Sequence, residues 1–251
     1  MIDTHCHLYM ADYFPDPARV VDEAAQAGVH QMVVIGIDSE TSRQAVELAD
    51  RFPEVYATVG WHPTNAATYT SAELRVLEEL VGHEKVVAVG EIGYDFYWDK
   101  ATPEEQDVCF AEQYEFAMSV QKPLIFHCRE AYAYQIERLE RLPPHPFVFH
   151  CFAGDAAQAQ WTFDRGGYIG VDGPITYPKS QDLRDLIQSA PRDRVLIETD
   201  APFLSPQKFR GKTNQPAYVR FVNQMVSNLW DVHPDEGERI LDGNARRFFG
   251  I

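Results

Sequence analysis

Two histidines, His5 and His7, stand two residues apart in the stretch Ile2-Asp3-Thr4-His5-Cys6-His7. Alternate side chains of a strand share a face, so both imidazoles point one way and Cys6 points the other. Two imidazoles on one face can hold a divalent metal from one side. A single His-x-His pair is a weak signal, but similar residues recur downstream. His62, Glu91, His127, His150 and Asp200 each follow an apolar run: VYATVG, KVVAVG, PLIF, PFVF and RVLIET.

Four imidazoles (His5, His7, His127, His150) and two carboxylates (Glu91, Asp200) exceed the three protein ligands that a catalytic zinc takes. They suit two metals sharing a carboxylate. Glu91 comes from the fourth run, between the two groups of histidines, and is the natural bridge. His5, His7 and Asp200 then complete one site, and His127 with His150 the other. A metal pair about 3.5–4 Å apart polarises an ester oxygen and activates a water. Asp200 is placed to take that water's proton, and Glu91 and Asp200 are the expected catalytic carboxylates. Glu198 shares parity with Asp200 and reads as a group that orients a ligand. The expected cofactor is two divalent ions, zinc, manganese or magnesium; mixed imidazole and carboxylate ligands also accept iron or nickel.

These residues converge only if the runs are parallel strands. After strand one, Asp16-Pro17 opens a helix that stops near Gly28. His30–Gly36 is strand two, with a helix from Asp38 or Ser39 to Phe52. Val55–Gly60 is strand three, and a helix runs from Ser71 to Gly82. Lys85–Gly90 is strand four, ending in Glu91. Thr102, Pro103 and Glu105 mark the clearest helix start in the chain. Pro123–Phe126, Pro146–Phe149, Tyr168–Val171 and Arg194–Thr199 are strands five to eight. Helices fit Asp182–Ser189 and Gln215–Leu229. A last one, about Pro234–Phe249, is expected to pack outside as an extra element. The runs are apolar throughout, as in strands buried on both faces. The fold expected is an α/β TIM (β/α)8 barrel, one domain over residues 1–251, with its active face at the strands' carboxyl ends. An open doubly wound sheet fits less well, because no Gly-rich phosphate loop follows strand one.

The 22 Lys and Arg against 38 Asp and Glu give a net charge of −16. That argues against a broad basic surface gripping duplex DNA. No apolar run approaches the ~18 residues of a membrane span. The first residues lack a signal peptide's basic and apolar regions, so a cytoplasmic location is expected. Cys6, Cys109, Cys128 and Cys151 form no Cys-x-x-Cys pair and read as small buried residues in a reducing compartment.

The segments IDTHCH, VGWHP, VGEIGYDFYWD, IFHCREA, FHCFAG, ETDAP and RGKTNQP resemble the TatD family of metal-dependent hydrolases, within the amidohydrolase superfamily. The resemblance runs from residue 2 to about 249. It implies a TIM barrel, one or two divalent ions and deoxyribonuclease activity. By motif it also implies His5, His7, Glu91, His127, His150 and Asp200 as metal ligands, and His62 and Arg129 as contacts to the substrate or its phosphate. Three residues depart from the common pattern: Tyr94 for leucine, and Cys128 and Ala153 where hydroxyl residues are usual. None is a ligand, but two lost hydroxyls near a phosphate site bear on substrate preference.

Arg129, Arg210 and Lys212 are the candidate phosphate contacts, arginine for its planar fork. Arg210 and Lys212 fit a solvated loop equally well, a loop that Asn214 and Pro216 would shape. Tyr94, Phe96, Tyr97 and Trp98 follow Glu91 and could stack on bases or lie buried under the barrel rim. The leading function is a phosphodiesterase acting on DNA ends, as a 3′-end exonuclease, or on short single strands. The alternatives are hydrolysis of a D-aminoacyl-tRNA-type ester and a non-catalytic metal-binding interaction protein. No obligate protein partner is evident.

Overall fold

The computed structural model describes all 251 residues. Eight strands form one parallel sheet in sequence order. They are β1 (Ile2–Cys6), β2 (Gln31–Ile35), β3 (Val55–Val59), β4 (Val86–Asp95), β5 (Leu124–Arg129), β6 (Phe147–Phe149), β7 (Tyr168–Val171) and β8 (Val195–Ile197). Between and after them run α1 (Pro17–Gln26), α2 (Ser39–Arg51), α3 (Ser71–Leu80), α4 (Pro103–Val120), α5 (Tyr132–Leu139), α6 (Ala156–Asp164), α7 (Gln181–Ser189), α8 (Val219–Leu229) and α9 (Pro234–Phe249). This is the TIM barrel that the alternation of elements predicts. No helix is long and apolar enough to cross a membrane.

The barrel closes beyond the ladder of β8. Asp200 N–H donates to His5 O at 2.9 Å and His7 N–H to Ala201 O at 2.7 Å. An isolated parallel bridge joins Cys6 and Ala201. Closure therefore seats Asp200 directly against the two N-terminal histidines.

Strand pleating sorts the side chains. Ile2, Val33, Ile35, Val87, Ile125, Val148 and Leu196 form an apolar layer inside the barrel. Two residues beyond Ile125 and Val148 stand His127 and His150, on the same face one layer nearer the carboxyl ends. Glu198 stands likewise beyond Leu196. His5 is an odd number of residues from Ile2, and the β1–β2 register shifts between Asp3 and Cys6 to accommodate that. Cys6 points away from His5 and lies within the larger apolar cluster between sheet and helices.

Some elements differ from the sequence reading. Strand four does not end at Glu91: β4 continues to Asp95, pairing Gly93 with His127 and Asp95 with Arg129. Gly93 allows it, since it has φ +139° and a Cβ there would lie 2.0 Å from His127 O. Strand eight is shorter than expected, and Glu198 to Asp200 follow it as irregular backbone. Helix α8 starts at Val219, because Pro216–Tyr218 forms a 3-10 turn first. The sequence reading placed no helix at α5 or α6. Helix α9 does not simply pack outside. Its Ala245, Phe248 and Phe249 join the apolar layer of the barrel interior and close its amino-terminal end.

Candidate metal centre

Six side chains meet where β1, β4, β5, β6 and the segment after β8 converge. Glu91 is buried at their centre. Its Oε2 lies 3.5 Å from His5 Nε2. Its Oε1 lies 2.7 Å from both His127 Nδ1 and His150 Nε2, and 3.5 Å from His62 Nε2. On the far side of His5, Asp200 Oδ1 is 3.3 Å from His7 Nε2 and 3.7 Å from His5 Nε2. Ligands about 2.1 Å from a tetrahedral zinc stand about 3.4 Å apart, so these spacings suit donors around an ion. Three groupings have metal-ligand geometry here: His5, His7 and Asp200; His62, Glu91 and His127; and His5, His150 and Glu198.

The strongest sign that a metal belongs here is His5. It is fully buried, and neither ring nitrogen has a hydrogen-bond partner. A buried polar atom left unpaired costs about 1–3 kcal/mol. Coordination to a metal would satisfy Nε2, which no neighbouring side chain does.

Surrounding groups fix the rings. His7 Nδ1 lies 3.3 Å from Ile35 O and 3.0 Å from the Tyr9 hydroxyl. A carbonyl only accepts, so Nδ1 carries the proton and the Nε2 lone pair faces Asp200. His127 Nε2 is 2.8 Å from Asp95 Oδ2, leaving Nδ1 toward Glu91. A carboxylate behind a ligating imidazole sets its tautomer and raises its basicity. Glu198 stands behind His150, with Oε1 3.6 Å from Nδ1, and accepts from Cys151 N–H. His62 differs. Its Nδ1 accepts from Thr64 N–H at 3.1 Å, so in the neutral ring the proton sits on Nε2, facing Glu91.

The same contacts set the charges of these groups. Burial, with His150 nearby, lowers His5 below the ordinary histidine range. Burial and neighbouring His127 push His62 down to about 4, so it stays neutral. Burial opposes ionisation of Glu91, but His150, His62 and the hydrogen bond from His127 outweigh it and hold the carboxylate well below its usual range. Asp200 is likewise lowered, burial being overcome by His7 and His5. Burial also works against charging His127, yet Asp95 and Glu91 raise it.

Residues 2–250 match the family described as TatD related DNase. The chain belongs to the TatD family. It is 36% identical to the uncharacterised metal-dependent hydrolase YabD of Bacillus subtilis, covering all of this chain and 99% of the relative. It is 33% identical to a Salmonella typhimurium protein named 3′-5′ ssDNA/RNA exonuclease TatD, again over all of this chain and 99% of the relative. The crystal structure of YjjV, a TatD homologue from Escherichia coli, superposes with a TM-score of 0.94 at 33% identity, covering 100% of this chain and 98% of that one. This TatD-family chain is accordingly a metal-dependent hydrolase.

The mouth of the TatD-family site is a cleft of about 250 Å3, lined among others by His7, His62, Asp95, Trp98, Lys100, Arg129, Asp200 and Phe203. Arg129 reaches it from the end of β5, its guanidinium 3.8 Å over the Tyr97 ring. Arg210 and Lys212 do not line this cleft. Both are exposed, and Arg210 packs 4.5 Å over Tyr177. The aromatic stretch divides: Tyr94 is fully buried, while Tyr97 and Trp98 are each 49% exposed at the rim.

Two residues were missed. Lys100 lies on the loop after β4 and carries no motif. Asp95 accepts from Tyr97 N–H and Trp98 N–H while its other oxygen meets His127. It shares strand parity with Glu91, a signal hidden by ending the strand at Glu91. Gln106 of α4 holds Asp95 in place, accepting from its N–H at 2.9 Å and donating to its carbonyl at 2.9 Å. Gln106 follows the Thr102–Glu105 box, so the first turns of α4 hold the end of β4.

Proposed function

We propose that this chain hydrolyses phosphodiester bonds of DNA, at 3′ ends or in short single strands, the whole chain acting as one domain around two divalent ions. The observation that carries the reading is the division of Glu91: one oxygen faces His5, the other His127 and His150. In this reading Glu91 with His5, His7 and Asp200 would hold one ion, and Glu91 with His127 and His150 the other. A bound pair of zinc, manganese or magnesium ions supplies Lewis-acid polarisation of the phosphoryl oxygen and lowers the pKa of a water.

The chain's own residues do the rest. Asp200, ionised and at the cleft wall, accepts the proton of the attacking water. His62, neutral with its proton on Nε2, donates to a phosphate oxygen rather than ligating. Arg129 and Lys100 receive the flanking phosphates, and Tyr97 and Trp98 offer ring faces to an unstacked base. The name of the Salmonella relative supports a single-stranded substrate. The test is end-labelled single-stranded and duplex DNA, with a charged tRNA in parallel, each with Zn²⁺, Mn²⁺ or Mg²⁺. Release of mononucleotides from single-strand 3′ ends is expected. Protein that contains metal and cleaves the aminoacyl ester but no phosphodiester overturns the reading.

A further inference from the structure

Beside the metal cleft lies a second, larger cavity of about 890 Å3. It sits between the loop after β6, the loop after β7 and helix α7. The two spaces share a wall: His150 and Phe203 line the metal cleft, and their chain neighbours Cys151 and Leu204 line the cavity. The wall is held by close backbone packing, since a Cβ on Gly173 would lie 1.9 Å from Leu204 O.

The two spaces differ in size and charge. The cleft, at about 250 Å3, falls below the roughly 300–1,000 Å3 of small-molecule sites, while the cavity lies within that range. The cavity contains no lysine, arginine or histidine, whereas Asp155, Asp172, Asp182 and Asp185 line it. A phosphate is repelled there. Phe152, Pro174, Leu183 and Leu186 give it apolar walls. Asp172 is 2% exposed, and its Oδ2 has no hydrogen-bond partner. A flat, uncharged group bearing N–H donors suits the apolar walls and the exposed carboxyl groups of Asp155, Asp182 and Asp185.

We propose that this cavity receives the nucleoside next to the scissile phosphate, with preference for bases that carry an exocyclic amino group. This rests on the phosphodiesterase reading of the metal cleft and adds a place for the nucleoside beside the scissile phosphate. The substrate then straddles the site. One nucleoside lies in the acidic cavity, the phosphate lies at the metal centre, and the next unit lies toward Tyr97, Trp98 and Arg129. Ala153, where the family commonly has a hydroxyl, lines this cavity and not the metal cleft.

The experiment has two arms. In the first, the protein without added metal is titrated with adenosine, cytidine, thymidine and an amino-acid methyl ester, followed by NMR. Adenosine and cytidine should bind at least severalfold more tightly than thymidine, and Ala156→Trp or Ser180→Trp, which fill the cavity from its rim, should weaken them about tenfold. Unchanged nucleoside binding in both filled variants overturns the proposal, as does binding of the amino-acid ester in preference to nucleosides. In the second arm, the same variants hydrolyse an oligonucleotide and bis(p-nitrophenyl) phosphate, which has no base. The ratio of the two rates should fall about tenfold; equal loss of both overturns the proposal. Failure of every form to cleave either diester would instead overturn the metal-centre reading, and nucleoside binding in the first arm would still stand.

Discussion

The number of cations that can touch a bound strand sets its salt dependence. In the cleft there are two, Arg129 and Lys100. Each neutralised phosphate on a single strand adds about 0.7 to the slope of log affinity against log salt. Two contacts give a protein contribution of about −1.4, so affinity falls about sevenfold between about 50 and 200 mM salt. Adding Arg210 and Lys212 would give about −2.8 and a loss of about 50-fold over the same range. The assay is fluorescence anisotropy with a labelled single strand on metal-loaded Asp200→Asn protein. Any contribution of bound ions is common to all forms, so differences between variants are read. Arg129→Ala and Lys100→Ala should each reduce the slope by about 0.7, while Arg210→Ala and Lys212→Ala should leave it unchanged. Arg129→Lys keeps the charge and should keep the slope, while losing the stack on Tyr97. If Arg210→Ala reduces the slope as much as Arg129→Ala does, the path assigned to the strand is wrong.

Glu91→Ala should abolish hydrolysis more completely than His127→Ala, because Glu91 faces both histidine groups and His127 only one; metal content and rate are measured together, and an active Glu91→Ala protein with full metal content refutes the bridge. The fully buried Tyr94 donates its hydroxyl to Asp107 Oδ1 at 2.8 Å. Asp107→Ala should therefore cost about 1–3 kcal/mol in urea unfolding, and about 1 kcal/mol less in a Tyr94→Phe background, where the buried Tyr94 hydroxyl is absent and only the half-buried Tyr134 hydroxyl and Arg138 lose their partner. His62 is held neutral down to about pH 4, whereas the unfolded chain protonates it near 6.5. The stability it contributes is thus present above pH 6.5 and drains as pH falls toward 4. Relative to His62→Gln, the wild type should lose up to about 3 kcal/mol across that window, and a constant difference refutes the assignment.

The fold was legible because parallel strands buried on both faces must be written as unbroken apolar runs, and eight such runs are hard to mistake. The helices were legible where their starts are chemically marked, as at Thr102, Pro103 and Glu105. Helix α5 is preceded at its N-cap by Ala131, whose side chain makes no capping bond, and it runs only eight residues. Helix α6 does have a box, Asp155 with Gln158, but buries only Ala159 and Thr162, too little to write an apolar stripe. The end of β4 was misjudged for a related reason. Gly90 and Gly93 look like punctuation in a sequence. In the barrel they let β4 lie close to β5, where a Cβ on Gly90 would sit 2.6 Å from Ile125 Cβ.

At the site, His127 and His150 were foreseen from their strands, Asp95 was missed because β4 was ended at Glu91, and the loop residue Lys100 carries no motif. His127 and His150 follow from the pleat, two positions beyond buried Ile125 and Val148. No such rule reaches Arg210 and Lys212. Their place depends on how the segment after β8 turns, and buried Asn214 decides that. Its Nδ2 donates at 2.7 Å to both Thr199 O and Phe203 O, and its own N–H donates to Pro202 O at 3.0 Å. Ser205 Oγ donates to Lys212 O, tying the far end of the loop back on itself. The clamp leaves Phe203 and Leu204 facing the two cavities and turns the cationic tip away from them. Asn214→Ala, which releases two carbonyls at once, should therefore disturb the wall between the cavities before it disturbs any phosphate contact. Its expected signature is weakened nucleoside binding with the salt slope unchanged. A reduced slope would mean that the loop delivers its cations to the substrate after all.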